Sequence, residues 1–191
     1  EPRQLADLVA FLSAGGAKPK PKQAVSLFNG KDLAGWTHHL SKANVARDAV
    51  WSVLPDGILD CKGGPSGYIR TEKDYANFIL ELDWRFPGRP GNSGVLLRMV
   101  GEDKVWPKSI EADLMGHAAG DIWNMGSFEM EVDEGRTRGA RTQKIHPTNE
   151  RPIGQWNQYK ITLFGGDLTL EVNGKIQNVG RWCEELPGKI G

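Results

Sequence analysis

Apolar and polar residues alternate with a period of two over most of the chain beyond residue 25. The clearest case is the run FILELDWRF at residues 78–86, in which every second residue is large and apolar. This period predicts a β-strand with one face in the core and the other toward water. The same pattern predicts strands at 127–132, 159–163 and 168–172, and shorter ones at 51–53, 58–61, 68–70 and 94–99. Two antiparallel sheets packed face to face would bury these stripes, so we predict an all-β sandwich.

Turn residues separate the predicted strands. Asn173-Gly174 is a preferred pair for a tight hairpin turn. Gly165-Gly166-Asp167 joins the predicted strands at 159–163 and 168–172. In contrast, 101–126 and 133–155 are interrupted by Gly and Pro and show no sustained period. We expect these two stretches to be loops on the β scaffold, where functional residues are often placed.

The first two dozen residues follow a different pattern. Apolar residues recur at helical spacing within residues 1–16, which predicts a short amphipathic helix that ends at Gly15-Gly16. Lys and Pro alternate in residues 17–24, which favours an extended linker. The sequence therefore predicts a helix at 1–16, a linker at 17–24 and one β domain over 25–191.

Composition narrows the classes of function. The chain has 24 Lys and Arg against 24 Asp and Glu, so it has no net positive charge to attract nucleic acid. Glycine makes up roughly 13% of the chain, against about 7% on average, and agrees with many turns between short strands. No apolar run is long enough to span a membrane, and the chain has no signal-peptide pattern. Its seven Trp suggest carbohydrate binding, because an indole ring can pack on a sugar.

An ordered series of motifs resembles the bacterial 3-keto-disaccharide hydrolase family. The motifs are SLFNGKDLAGW at residues 26–36, NSGVLLR at 92–98, WPKSIE at 106–111, GDIW at 120–123, GQWNQY at 154–159 and VNG at 172–174. Their order and spacing carry the resemblance, which runs from about residue 25 to the end.

The resemblance implies a concanavalin A-like jelly-roll sandwich that acts on 3-oxo-glycosides. In this chemistry a base removes the C2 proton, the C1 substituent is eliminated and water then adds, so a general base is needed near C2. Family members continue past residue 191 into one more strand, so we expect the sandwich to lack its last strand. The resemblance also implies export to the periplasm or the extracellular space.

Four residues are the candidates for catalysis: Glu111, Arg98, His117 and His146. Glu111 matches the glutamate of the family's Ser-Ile-Glu segment, and as a base or metal ligand it would share one strand face with Asp113. A solvated sheet face is the alternative for this acidic pair. Arg98 could bind an oxyanion or orient Glu111. The histidines could move a proton or bind a metal, and whether a divalent metal ion takes part stays open.

Five residues are the candidates for substrate binding: Trp36, Asn92, Trp106, Asp121 and Trp123. The three tryptophans lie in Gly- and Pro-rich loops, where a ring can stack on a sugar, whereas Trp51, Trp84 and Trp156 fit the core. Asn92 could bind a hydroxyl group or form a turn. The sequence thus predicts an enzyme that cleaves glycosidic bonds of 3-oxo-glycosides, with a noncatalytic carbohydrate-binding module as the alternative.

Overall fold

The structure, a computed structural model that describes residues 24–191, is built from short β-strands joined by turns and loops. The strands are β1 Trp36–Leu40, β2 Trp51–Val53, β3 Leu59–Cys61, β4 Gly67–Thr71, β5 Phe78–Trp84, β6 Gly94–Val100, β7 Lys108–Asp113, β8 Ile122–Met125, β9 Thr137–Arg138, β10 Arg141–Thr142, β11 Asn157–Phe164, β12 Asp167–Val172 and β13 Lys175–Gly180. Two single-turn 3₁₀ helices lie at Arg47–Ala49 and Glu134–Arg136. The predicted helix at 1–16 and the predicted linker, apart from Ala24, lie outside the described residues.

Two antiparallel sheets form the sandwich. One has four strands in the order β13-β12-β11-β5, and the other has five in the order β6-β7-β8-β10-β9. The pairs β1-β4 and β2-β3 form two smaller sheets. The prediction of an all-β, two-sheet antiparallel sandwich is therefore confirmed.

The four-stranded sheet follows the alternating pattern of the sequence closely. β11 is one of its two inner strands and pairs with β5 on one side and β12 on the other. The turn between β12 and β13 uses Asn173 and Gly174, both with positive φ, as a tight hairpin of this kind requires. Hairpin turns keep β11, β12 and β13 adjacent, whereas β5 joins the sheet through long-range pairing with β11.

The main core lies between the two large sheets. It contains Ile110, Ala112 and Ile122 from the five-stranded sheet and Ile161 and Leu170 from the four-stranded sheet, all of them fully buried. Because successive residues of a strand point to opposite faces, Glu111 on β7 and Trp123 on β8, which alternate with these core residues, point away from the core. We call the side of the five-stranded sheet that faces away from the core its outer face.

Residues 188–191 join the β1-β4 sheet to the five-stranded sheet. Gly191 and Leu96 exchange two backbone hydrogen bonds, of 2.8 and 2.9 Å, and Lys189 and Met99 exchange two of 2.9 and 3.0 Å. On the other side, the Thr71 N–H donates to the Ile190 carbonyl at 2.8 Å. This segment therefore covers the edge of β6 that does not pair with β7.

Two strand predictions need correction. Residues 127–132 form no strand, although Phe128 is buried in the main core as its alternation required. The backbone there pairs with the irregular segment after β13, through two hydrogen bonds between Glu131 and Arg181. Conversely, the predicted loop at 101–126 contains β7 and β8. β7 pairs with β6 and β8 pairs with β7, and this pairing stabilises strands too short to show a clear period.

The described residues hold two cysteines, both free, with Cys61 exposed and Cys183 buried.

A separate question is whether the chain could cross a membrane by a helix. Over residues 24–191, none of the helices has the length and apolar character that such a crossing requires.

Candidate active site

Glu111 lies near the middle of the outer face. Its neighbours across the sheet are Leu96 on β6 and Trp123 on β8, and Arg141 on β10 lies opposite Trp123. Residues paired in this way point to the same face of an antiparallel sheet. The register therefore places Glu111, Trp123 and Arg141 on three successive strands of one face.

The Glu111 carboxyl is half-buried and packs against the backbone of β6. A Cβ added to Gly94 would lie 2.2 Å from Glu111 Oε1, so the absence of a side chain at Gly94 makes room for this carboxyl. Among residues 24–191 the carboxyl has no hydrogen-bond partner. Burial first, and the nearby charge of Asp113 second, raise the pKa of Glu111 from 4.5 to about 7. Such a group can accept a proton near neutral pH.

Asp113 has a different environment from Glu111, although both lie on the same face of β7. Its Oδ1 accepts a hydrogen bond from the Met115 N–H at 2.7 Å, and its Oδ2 accepts one from the Trp123 indole N–H at 3.1 Å. Burial raises the pKa of Asp113, and these two hydrogen bonds oppose the rise. Asp113 therefore fixes the orientation of the Trp123 ring and adds negative charge beside Glu111.

Asp121 and Arg141 form a second fixed pair beside Trp123. Arg141 Nε donates to Asp121 Oδ2 at 2.7 Å, Nη2 forms an ion pair with the same oxygen at 2.6 Å, and Asp121 Oδ1 accepts the Lys144 backbone N–H at 2.8 Å. Asp121 is only 1% exposed. The prediction that Asp121 contacts substrate does not fit this position, because its side chain is buried and supports Arg141.

Among the candidate catalytic residues, Arg98 departs most clearly from its predicted role. Its φ is positive at a bulge in β6, and its side chain is completely buried. Its guanidinium donates to the backbone carbonyls of Ala76, Gly165 and Glu184, at 2.6 to 2.9 Å. Arg98 therefore holds three chain segments together and does not orient Glu111.

The two candidate histidines are not brought into contact with the acidic residues. His117 and His146 are exposed, and within residues 24–191 neither imidazole forms a hydrogen bond to Glu111, Asp113 or Asp121. The backbone of His117 is engaged instead, since its N–H donates to Glu150 Oε2 at 3.1 Å. Their predicted catalytic roles find no geometric support here.

Among the candidate substrate-binding tryptophans, Trp36 has a structural role and Trp106 is exposed. Trp36 is structural, because its indole N–H donates to the Leu27 carbonyl at 2.8 Å and its ring packs in the smaller core with Trp51 and Val50. Trp106 is 60% exposed just before β7. The sequence also placed Trp156 in the core, but it is 37% exposed and lies beneath the Arg85 guanidinium.

Asn92 lies just beyond the end of β6 where Gly94 is opposite Asp113. The carbonyls on either side of it, those of Gly91 and Ser93, accept hydrogen bonds from the backbone N–H groups of Gly116 and Leu114, at 3.0 and 2.8 Å. The exposed Asn92 thus continues the line of β6 past Gly94. It remains a candidate for binding a ligand hydroxyl group.

Sequence reasoning missed Gly94 and Arg141. Gly94 stands in a motif that carried the resemblance. It lies opposite Asp113, and the absence of a side chain there leaves room for the Glu111 carboxyl. Arg141 stands in a two-residue strand without any periodic signal, so only the strand register could have located it. No group of three or more His, Cys, Asp or Glu side chains within residues 24–191 is arranged to hold a metal ion.

The fold is a two-sheet sandwich of the concanavalin A-like class, with its candidate site on the outer face of one sheet. The chain belongs to the 3-keto-alpha-glucoside-1,2-lyase-like domain family, whose model matches residues 23–186.

Individual proteins agree with this assignment. A curated 3-keto-disaccharide hydrolase from Bacteroides thetaiotaomicron is 26% identical over 164 residues, which cover 75% of this chain and 53% of that protein. The chain thus spans about half the length of this relative.

Two solved structures share the fold. A protein from Parabacteroides distasonis, provisionally described as a glycosyl hydrolase, aligns with 86% of this chain and 83% of its own, with a TM-score of 0.57 and 23% identity. A β-glucanase from Bacillus licheniformis aligns with 85% of this chain and 79% of its own, with a TM-score of 0.55 and 16% identity.

Proposed function

We propose that this domain is a carbohydrate-active enzyme that cleaves the glycosidic bond of 3-oxo-glycosides, with Glu111 as the general base. Family membership and the name of the Bacteroides relative support the class of reaction and substrate. The observation that carries the proposal is the Glu111 carboxyl, which is half-buried, free of hydrogen bonds among residues 24–191 and raised in pKa to about 7.

The chemistry of a 3-oxo sugar explains why one such carboxyl is useful. The ketone at C3 makes the C2 hydrogen acidic, and Glu111 accepts this proton while the electron pair of the C–H bond forms an enolate. The enolate then expels the C1 substituent, so the C1–O bond breaks and a C1=C2 double bond forms. The departing oxygen takes a proton, and addition of water across the double bond completes a net hydrolysis.

The outer face favours this route over direct displacement by two carboxylates. A conventional glycosidase needs a second carboxyl that is free to act as nucleophile, acid or base. Asp113 is the neighbouring carboxyl, and each of its oxygens already accepts a hydrogen bond. Glu111 is therefore the carboxyl available to react.

Substrate would lie over Glu111 and Trp123. The Trp123 ring is held by Asp113 and is half-buried, so it offers a fixed apolar surface beside the base. Asn92, at the end of the same sheet, could donate or accept a hydrogen bond with a sugar hydroxyl group.

The test compares the wild-type protein with Glu111→Gln on a 3-oxo-disaccharide, with release of free sugars followed by chromatography. We expect cleavage by the wild type and a loss of at least about 100-fold in Glu111→Gln, since general-base catalysis contributes about 10²–10⁴-fold. Glu81→Gln, on the exposed side of the other sheet, is the matched control and should keep full activity.

Two results would count against the proposal. Equal turnover by Glu111→Gln and wild type would remove Glu111 from the mechanism. Binding of glycans in a calorimeter without any product from the 3-oxo-disaccharide would instead favour a noncatalytic carbohydrate-binding module.

A further inference from the structure

Arg141 is the arginine of the outer face that lies closest to Glu111 in the strand register. Trp123 stands between them, so Arg141 and Glu111 are two strands apart, or about 9–10 Å between backbones. The Asp113–Trp123 pair and the Asp121–Arg141 pair lie toward the same end of the sheet, because the Asp113 N–H donates to the Asp121 carbonyl at 3.0 Å. A small ligand over Trp123 could therefore reach both Glu111 and Arg141.

The Arg141 guanidinium is held in place but only partly used. Nε donates to the buried Asp121 carboxylate, Nη2 forms an ion pair with it, and the guanidinium carbon lies 5.9 Å from the centre of the Trp123 ring. Among residues 24–191, Nη1 has no hydrogen-bond partner. The side chain is 34% exposed, so part of it can be reached by a ligand.

Other cations near this end of the sheet are already engaged. Lys144 Nζ donates to the His117 carbonyl at 2.5 Å, and Arg98 is buried among backbone carbonyls. Arg138 lies one strand farther from Glu111, and its Nη1 donates to the Thr137 carbonyl at 2.7 Å. Arg141 is thus the cation best placed to meet negative charge that develops near Glu111.

We propose that Arg141 is a catalytic residue that binds the oxygen of the 3-oxo group as this oxygen becomes an enolate. The inference rests on the function proposed above. The C2–H bond breaks, its proton passes to Glu111, and its electron pair forms the C2=C3 bond while the carbonyl pair moves to the oxygen. The Arg141 Nη1–H groups donate hydrogen bonds to that oxygen and stabilise its charge.

In the second half of the reaction the charge leaves Arg141. The carbonyl at C3 forms again, the C1=C2 bond forms, and the C1–O bond breaks. The departing oxygen takes the proton from Glu111, which restores the carboxylate. Arg141 therefore acts in the step that creates the enolate and should affect turnover more than substrate binding.

The first test uses Arg141→Lys on the 3-oxo-disaccharide, because lysine keeps the positive charge that Asp121 needs. One ammonium group cannot reproduce the fork that binds Asp121 and also donates to the substrate. We expect kcat to fall about 10- to 100-fold while KM changes less than threefold and the melting temperature stays within a few degrees. Arg138→Lys, on the neighbouring strand, is the matched control and should match the wild type.

The second test separates a catalytic role from a structural one. Arg141→Ala should lose about 10²–10³ in kcat, and guanidinium ion at tens of millimolar should restore part of it. The same additive should not restore Glu111→Gln. Loss of activity in both Arg141 variants together with unfolding, and without rescue, would show that Arg141 is only a structural partner of Asp121.

The outcomes distinguish this inference from the proposed function. If the wild type cleaves the 3-oxo-disaccharide and Arg141→Lys keeps kcat within twofold, the role of Arg141 is wrong and that of Glu111 stands. If the wild type cleaves no 3-oxo-glycoside, the proposed function fails, and the role of Arg141 fails with it.

Discussion

At the scale of single residues, the candidate site depends on what surrounds one carboxyl. Glu111 and Asp113 share a strand face, yet Asp113 accepts two hydrogen bonds while Glu111 packs against Gly94 without any partner among the described residues. Burial therefore acts on Glu111 with little compensation, and its pKa rises to about 7. Glu111 and Asp113 thus differ in chemistry because their neighbours differ, although both belong to one strand.

The pH dependence of activity tests this environment. A general base must be ionised, so kcat/KM for a 3-oxo-disaccharide should rise with pH through an apparent pKa of about 7. Asp113→Asn removes a like charge beside Glu111, so the rise should move to lower pH. The move should be only a fraction of a unit, because burial is the larger cause of the raised pKa. A profile that stays in place, or that moves to higher pH, would contradict this electrostatic account.

At the scale of elements, β6 is held from both sides. β7 pairs with one edge of β6, and residues 188–191 cover the other through backbone hydrogen bonds to Leu96 and Met99. The bulge of β6 turns Arg98 inward, where its guanidinium ties Ala76, Gly165 and Glu184 together. The strand that carries Gly94 is therefore fixed by contacts distant in sequence.

Gly188 tests the close packing at this edge. A Cβ on Gly188 would lie 2.5 Å from the carbonyl carbon of Arg98, a backbone atom that cannot easily move away. Gly188→Ala should therefore lower the free energy of unfolding by about 1–3 kcal/mol, measured by urea denaturation. Gly88→Ala is the control, because nothing lies within 4 Å of its added Cβ, and it should change stability little. Equal stability of the two variants would mean that the edge is looser than described.

At the scale of the whole molecule, the site has a cost in stability. The two sheets bury the core between them, and the outer face of the five-stranded sheet is left to hold the acidic groups. Keeping Glu111 ionised in its half-buried position opposes folding, because the unfolded chain hydrates that charge freely.

The pH dependence of stability measures this cost. Glu111 has a pKa of about 7 when folded and about 4.5 when unfolded, so between these values the folded state binds more protons. The free energy of unfolding should therefore fall as pH rises from 4.5 to 7, by about 1–3 kcal/mol relative to Glu111→Gln, after allowance for partial exposure. Urea denaturation at several pH values provides the measurement, and Glu81→Gln should follow the wild type. Parallel curves for wild type and Glu111→Gln would contradict the raised pKa.

The fold class and the leading candidate for the general base, Glu111, both followed from the sequence. A period of two and hairpin turns are local properties, so they predicted β11, β12 and the hairpins that join β11, β12 and β13, and the ordered motifs indicated the family to which the chain belongs. The same period placed Glu111 and Asp113 on one face. It could not say which strands would lie beside that face.

Only the tertiary structure decided which residues surround Glu111. The neighbours Leu96, Trp123 and Arg141 come from separate strands, and their register depends on pairing between distant segments. The same pairing turned Arg98 inward and placed Trp36 in the smaller core, against the expectation from sequence. Local patterns determine which side of its own strand a residue occupies, but long-range pairing determines its partners, and those partners determine its chemistry.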